Sequence, residues 1–451
     1  MIFEISSCEI LQLKYHRVIL YDIMFNNLSD LSSVHTVKGE IRVNEANLKK
    51  YANLFVRAGG NVQKGQLVII SCAVDAAYFG RLVRDAAYEA GASEVNIDWI
   101  DETTTRARYL HGAPEIFDVY EDWRVQKLKT QDDKGAVYLH IVSSDPDNLA
   151  GVEPDRLRRF SIAAQTATKE HSALTMSSTL RWSIVAIPSP KWAKKVFPGL
   201  TEADAIDKLW ELIIKAARAD GADPVADWQK HDATFARLIE YLNGQNFASL
   251  RFKTGIGSDF TVGLVQNHVW DGGSDADKQG IRFFPNIPTE EIFTMPHREK
   301  AEGRVVASMP LSHQGNLIEG FEMTFKDGKV VGYKADKNQE TLKNIIEMDE
   351  GAARLGEVAL VANSSPIGQM NTLFYNTLFD ENASAHLALG KAYPKNMKDG
   401  DNMSTEELVA KGGNDSLTHV DFMFGTADMS ITGIKADGTE VLFFENGEYI
   451  V

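Results

Sequence analysis

Cysteine is nearly absent. The 451 residues include two, Cys8 and Cys72, far apart and in no CxxC pair. That argues against a disulfide framework or a cysteine-rich zinc site, and it suits a reducing compartment such as the cytoplasm. No run of about 18 apolar residues occurs, so no transmembrane helix is expected. The most apolar N-terminal piece, Val18 to Phe25, is broken by Asp22 and followed by no small-residue cleavage site, so it does not read as a signal peptide. Positive charge is also short, with a formal net charge of −16 at pH 7. Phosphate backbones and anionic membranes need a basic face, so neither nucleic acid nor membrane is an expected partner. The acidity serves solubility, and it is also what carboxylates gathered around cations would produce.

Several catalytic signatures are missing as well. There is no GxGxxG opening a helix and no GxxxxGK[ST], so a nucleotide site is unsupported. There is no HExxH helix and no GxSxG elbow, and neither cysteine has the setting of a nucleophile.

The length predicts two domains. Residues 1–43 read as an extension of uncertain structure, and folding is expected to begin near Asn44. That residue caps a helix carrying Leu48, Tyr51, Leu54 and Phe55. Leu67 to Ile70 reads as a buried strand, Ala76 to Ala90 as a helix stopped by Gly91, and Val95 to Trp99 as a strand. Together they make a βαβ unit. Strands at Val137 to Val142 and Ile184 to Ile187 continue the pattern. So do helices at Leu157 to Ala164, after Thr201, and at Phe235 to Leu242 with Gly244 beyond it. Residues 44–245 are therefore expected to form an α/β domain with an open sheet.

From about 246 to 451 the character changes to α+β, rich in antiparallel strands. Asp327-Gly328, Asp437-Gly438 and Asn446-Gly447 each mark a hairpin. Helices are expected at Gln339 to Ala353 and Ala383 to Ala392. On the second of these, His386 and Tyr393 would share a face two turns apart, with Leu389 and the small Gly390 between them leaving room for a ligand.

The chemically informative residues lie in this half. His419 and Asp421 alternate with Val420 and Phe422 on a strand, so the imidazole and the carboxylate share one face. A carboxylate there needs a partner, either a metal or a basic side chain. Glu357 stands at the mouth of an apolar strand. Glu290 and Glu291 lie in a proline-bounded extended segment, Pro285 to Pro296, and so face opposite ways; at most one enters a given site.

Taken together, Asn286 to Glu291, Asp349 to Glu357, Leu378 to His386 and His419 to Phe422 resemble the dinuclear metallo-aminopeptidases typified by bacterial aminopeptidases T and S and aminopeptidase II. The four segments occur in the family's order and spacing. The resemblance implies a site of two divalent ions (Zn, Co or Mn) held by Glu291, Glu357, His386, His419 and Asp421, with Tyr393 as an active-site tyrosine beside them. A carboxylate, Glu357 among the candidates, would bridge the ions or move a proton. It also implies peptide substrates with a free N-terminus and a homodimer. Two other readings stay open. One is a metal-dependent hydrolase of another amide, such as a dipeptidase or carboxypeptidase. The other is a non-catalytic α/β binding protein, which would purify without metal.

Overall fold

Four apolar runs of the first half become neighbours in one parallel sheet. The computed structural model describes residues 44–451 apart from 144 and 314; the extension expected at 1–43, with Cys8, lies outside the described residues. The strands lie in the spatial order Asn286–Ile287, Trp182–Ala186, Val137–Val142, Leu67–Ala73, Glu94–Ile100, every pair parallel. Parallel strands require long crossovers, and helices fill them. Asn44 caps the first helix, Glu45–Leu54, its Oδ1 accepting from the Ala46 N–H at 2.9 Å. Thr201 does the same for Glu202–Ala216 through the Asp204 N–H. The helix expected at 235–242 is longer, Pro224–Gln245. Asp223 caps it and Pro224 starts it, while Gly244 is tolerated inside and the chain turns at left-handed Asn246 instead.

The fifth strand of this sheet, Asn286–Ile287, comes from the second half of the sequence. It delivers the following segment, Pro288 to Glu291, directly into a second sheet. That sheet is antiparallel, in the order His419–Met423, His386–Gly390, Leu355–Val361, Glu291–Thr294, Asp271–Gly272. A third, eight-stranded antiparallel sheet contains the three expected hairpins. Asp327-Gly328 and Asn446-Gly447 both turn with two positive φ angles, as a tight two-residue loop requires.

Two expected helices are not formed as such. Ala383 to Ala392 holds a tight turn, Glu381–Ala383, and then the strand His386–Gly390, fully buried and paired on both edges. Ala and Leu favour a helix by only tenths of a kcal/mol each. Pairing on both edges and burial of Leu387 and Leu389 outweigh that preference. His386 and Tyr393 therefore share no helix face. Gly390 leaves no room for a ligand; it has φ +109°, and a side chain there would collide with the Thr418 carbonyl. The helix expected to run to Ala353 stops at Ile346, because Asp349 turns the chain by accepting from the Ala352 N–H at 2.8 Å.

The apolar residues form two main cores. One packs helices on the parallel sheet around Tyr51, Phe79 and Trp210, with rings 5.4–6.4 Å apart. The other fills the space between the two antiparallel sheets with Phe252, Phe260, Phe325, Phe422 and Phe424. Trp228 belongs to the first core: it is fully buried, its Nε1 donates to the Ala217 carbonyl at 2.7 Å, and its ring meets Phe284 at 4.8 Å. Trp228→Ala should cost about 3–5 kcal/mol, read as a lower urea midpoint at unchanged slope. A loss under 1 kcal/mol would mean that this junction does not hold the fold.

Candidate metal centre

The five-stranded sheet has two unlike faces. Ile292, Val358, Leu360, Leu387, Leu389, Val420 and Phe422 point into the second core. The opposite face carries every ligand candidate, because directly paired residues of antiparallel strands share a face. Glu291 pairs with Val361, Ala359 with His386, Glu357 with Ala388, Ala388 with Asp421, and Gly390 with His419. Glu357, Ala359 and Val361 share that face by strand alternation, while a register shift between Leu355 and Glu357 turns Leu355 to the core beside Leu389. Small residues, Ala359, Ala388 and Gly390, separate the functional ones and leave the space above the sheet to their side chains.

The side chains converge. His386 Nε2 lies 3.0 Å from Glu291 Oε2 and 3.7 Å from Glu357 Oε1. His419 Nε2 lies 3.4 Å from Glu357 Oε2 and 3.3 Å from Asp421 Oδ1. Two triads result, Glu291–Glu357–His386 and Glu357–His419–Asp421, each with its donor atoms within 4.8 Å of one another. Glu357 belongs to both, one oxygen toward each imidazole. Each ring is oriented from behind: His386 Nδ1 meets the Ser384 carbonyl at 3.2 Å and His419 Nδ1 the Lys391 carbonyl at 2.7 Å. That arrangement places the proton on Nδ1 and turns Nε2 to the cluster, as metal-bound histidines require.

The electrostatics ask for positive charge. Burial alone would push both imidazoles down. The bonds to Glu291 and Glu357 instead hold His386 well above its ordinary value, and those to Asp421 and Glu357 hold His419 at about 11. Burial would raise Glu357, yet its two histidine partners hold it at about 2. Protons on the imidazoles thus neutralise the carboxylates here, a service that divalent cations perform better. Tyr393 does not follow from a helix but from the turn after the His386–Gly390 strand. Its ring lies 4.8 Å from that of His419, and burial raises its hydroxyl. A cavity of about 500 Å³ opens over the cluster, lined also by Tyr393, Phe293, Lys395, Met176 and Trp182. That size suits the end of a peptide.

Glu290, the neighbour of Glu291, faces away as the extended chain dictates. It is buried and paired bidentately with Arg218, with His231 at 3.8 Å, while its N–H donates to Asn382 Oδ1 at 2.6 Å. Glu381 was not singled out from sequence, yet it lines the cavity beside the cluster. Burial, then the charges of Glu291 and Asp421, push its carboxyl well above the usual range. Only its place in the acidic run Asp380-Glu381 ahead of His386 hinted at it. Nothing local separates it from Asp380, which turns away to accept from the N–H groups of Phe374 and Asn376.

Three carboxylates and two pre-oriented imidazoles in a cavity make a candidate site for divalent metal. The model of the thermophilic metalloproteases, M29, matches residues 44–449. Aminopeptidase 2 of Geobacillus stearothermophilus is 44% identical over 405 residues, 90% of this chain and 98% of that protein. Aminopeptidase AmpS of Bacillus subtilis is 43% identical over 89% of this chain and 98% of its own length. The solved structure of wild-type AmpT from Thermus thermophilus superposes with a TM-score of 0.84 at 39% identity, covering 90% of this chain and all of that one. The chain therefore belongs to the M29 thermophilic metalloprotease family.

Arg218→Ala leaves Glu290 buried without its main partner. It should destabilise the fold by about 3–5 kcal/mol in urea unfolding. An unchanged midpoint would show that Glu290 needs no counter-charge.

Proposed function

We propose that this chain is an aminopeptidase that removes the first residue of peptides at a pair of divalent metal ions held by Glu291, Glu357, His386, His419 and Asp421. The observation that carries the number of ions is the shared carboxylate: two triads meet at Glu357, whose two oxygens face different imidazoles. Glu291 and His386 would hold one ion, His419 and Asp421 the other, and Glu357, with one oxygen toward each imidazole, would serve both. Zn, Co and Mn all suit this mixture of oxygen and nitrogen donors.

When bound, such a pair supplies an acidified water and electrophilic polarisation of the peptide carbonyl. The protein's own groups do the rest. The Ser384 and Lys391 carbonyls lock the two imidazole tautomers. Tyr393, its ring tilted against that of His419 at the cavity wall, is placed to donate its hydroxyl proton in a hydrogen bond to the developing oxyanion. Phe293, Met176 and Trp182 add apolar surface to the cavity wall, and polar contacts made against such surface are less screened than in bulk water. The α/β part, 44–245, and the metal-binding part, 246–451, follow the two cores only in outline: the first core also takes Phe284, Ile287, Ile367, Phe374 and Phe379, and the second takes Phe235, Leu238 and Leu242. Among the described residues no helix is long and apolar enough to cross a membrane. A cytoplasmic homodimer is part of the same reading by family likeness, and light scattering of the purified protein tests the dimer.

Exhaustive chelation should abolish hydrolysis of leucyl-p-nitroanilide, and Co²⁺, Zn²⁺ or Mn²⁺ should restore it; activity that survives chelation would sink the metal reading. Glu357→Gln and His386→Ala should each lose turnover with an unchanged circular dichroism spectrum. Near-normal rates in either variant would remove that residue from the site. The N-acetylated substrate should not be cleaved, whereas a dipeptidase or carboxypeptidase would not share that pattern.

A further inference from the structure

Four carboxylates border the catalytic cavity where the triads meet, and three of them are accounted for. Glu291 and Glu357 face His386, and Glu357 and Asp421 face His419. The fourth, Glu381, belongs to neither triad. Among the described residues its side chain receives one long hydrogen bond, from Asn382 Nδ2 at 3.5 Å, and has no ion-pair partner. The other buried carboxylates nearby differ: Glu290 has Arg218, and Asp380 has two backbone N–H groups at 2.7 and 3.0 Å.

Glu381 is also held in place. It opens the tight turn Glu381–Ala383, which Asn382 ties down from both ends of its amide. Oδ1 accepts from the Glu290 N–H, and Nδ2 donates to the Leu378 carbonyl at 3.0 Å. Ser365 Oγ donates to the Asn382 carbonyl at 2.8 Å. The turn that aims Glu381 is thus bonded to the segment that aims Glu291. A carboxylate kept at a cavity wall without a cation carries a desolvation cost that an incoming cation relieves. Every peptide with a free N-terminus brings one cation at a fixed distance from its first carbonyl, the α-ammonium.

We infer that Glu381 anchors the free α-ammonium group of the substrate and so sets the requirement for an N-terminus. This rests on the aminopeptidase reading above. Glu381 is a binding and positioning residue here, distinct from the five ligands and from any group that moves a proton.

The test uses the metal-loaded full chain and its Glu381→Gln variant. Losing a charged hydrogen bond predicts a KM for leucyl-p-nitroanilide higher by about ten- to a hundredfold. The kcat should stay within a few-fold, and the metal content by elemental analysis should be unchanged. Calorimetry supplies a readout apart from turnover. 3-Methylbutylamine, which has the ammonium but no carbonyl, should bind the variant more weakly by a similar factor, while 3-methylbutan-1-ol binds both proteins alike. Glu381→Asp, which keeps the charge, should retain part of the amine affinity. An unchanged amine affinity, a fall in kcat at constant KM, or loss of metal would each overturn the assignment. So would a wild-type protein that binds the alcohol as well as the amine, a measurement that needs no variant. Failure of the broader reading looks different: the wild type would then cleave the N-acetylated substrate or neither substrate.

Discussion

One carboxylate holds the centre together. Glu357 sits between two imidazoles, with one oxygen toward His386 and the other toward His419, in the middle of a strand whose remaining residues are apolar. A lone carboxylate in that position would be costly to bury. It calls for cationic groups nearby, and the two histidines come from the two strands that follow it across the sheet on one side. The rest of the cluster answers the charge that these three groups leave.

The sheet makes that convergence possible by separating two tasks. Its inner face is continuous with the core shared by the eight-stranded sheet, and its outer face is given to polar chemistry. Strand alternation performs the separation without any special backbone, since consecutive residues point to opposite sides. Buried on both edges and packed beneath, the three central strands hold their side chains against a rigid floor. Rigid placement is what a metal site and its substrate pocket both need. The crossing strand Asn286–Ile287 adds the remaining constraint. By completing the parallel sheet it fixes where the chain enters the antiparallel one, and so where Glu291 lies. The Glu290–Arg218 pair and the Asn382 amide lock the same corner from two sides.

The family resemblance had already pointed to the five side chains that converge here. His419 and Asp421 alternate with Val420 and Phe422, so a shared face followed from period alone. The opposed directions of Glu290 and Glu291 followed from the prolines around them. Hairpin turns at Asp327-Gly328 and Asn446-Gly447 were equally local, because only such residues accept two positive φ angles. The parallel sheet was readable as alternating apolar runs and capped helices. Where reading failed, a distant partner overrode a local preference. The stretch from Ala383 to Ala392 has helical composition, and it is a strand because two other strands, 355–361 and 419–423, claim its edges. Glu381 escaped notice because what distinguishes it from Asp380 is the cavity it faces.

Taken alone, then, the sequence determined that His419 and Asp421 share a face, that Glu290 and Glu291 point apart, and the two classes of sheet, since these depend on neighbours within a few residues; which side chains act together came only from the family resemblance. Only the tertiary structure decided that Glu357 is shared by the two triads, that His386 stands on a strand, and that among the described residues Glu381 has no ion-pair partner. Those facts depend on which strands lie side by side and which charges share a cavity. Contacts between residues tens of positions apart set them, and no local periodicity encodes such contacts.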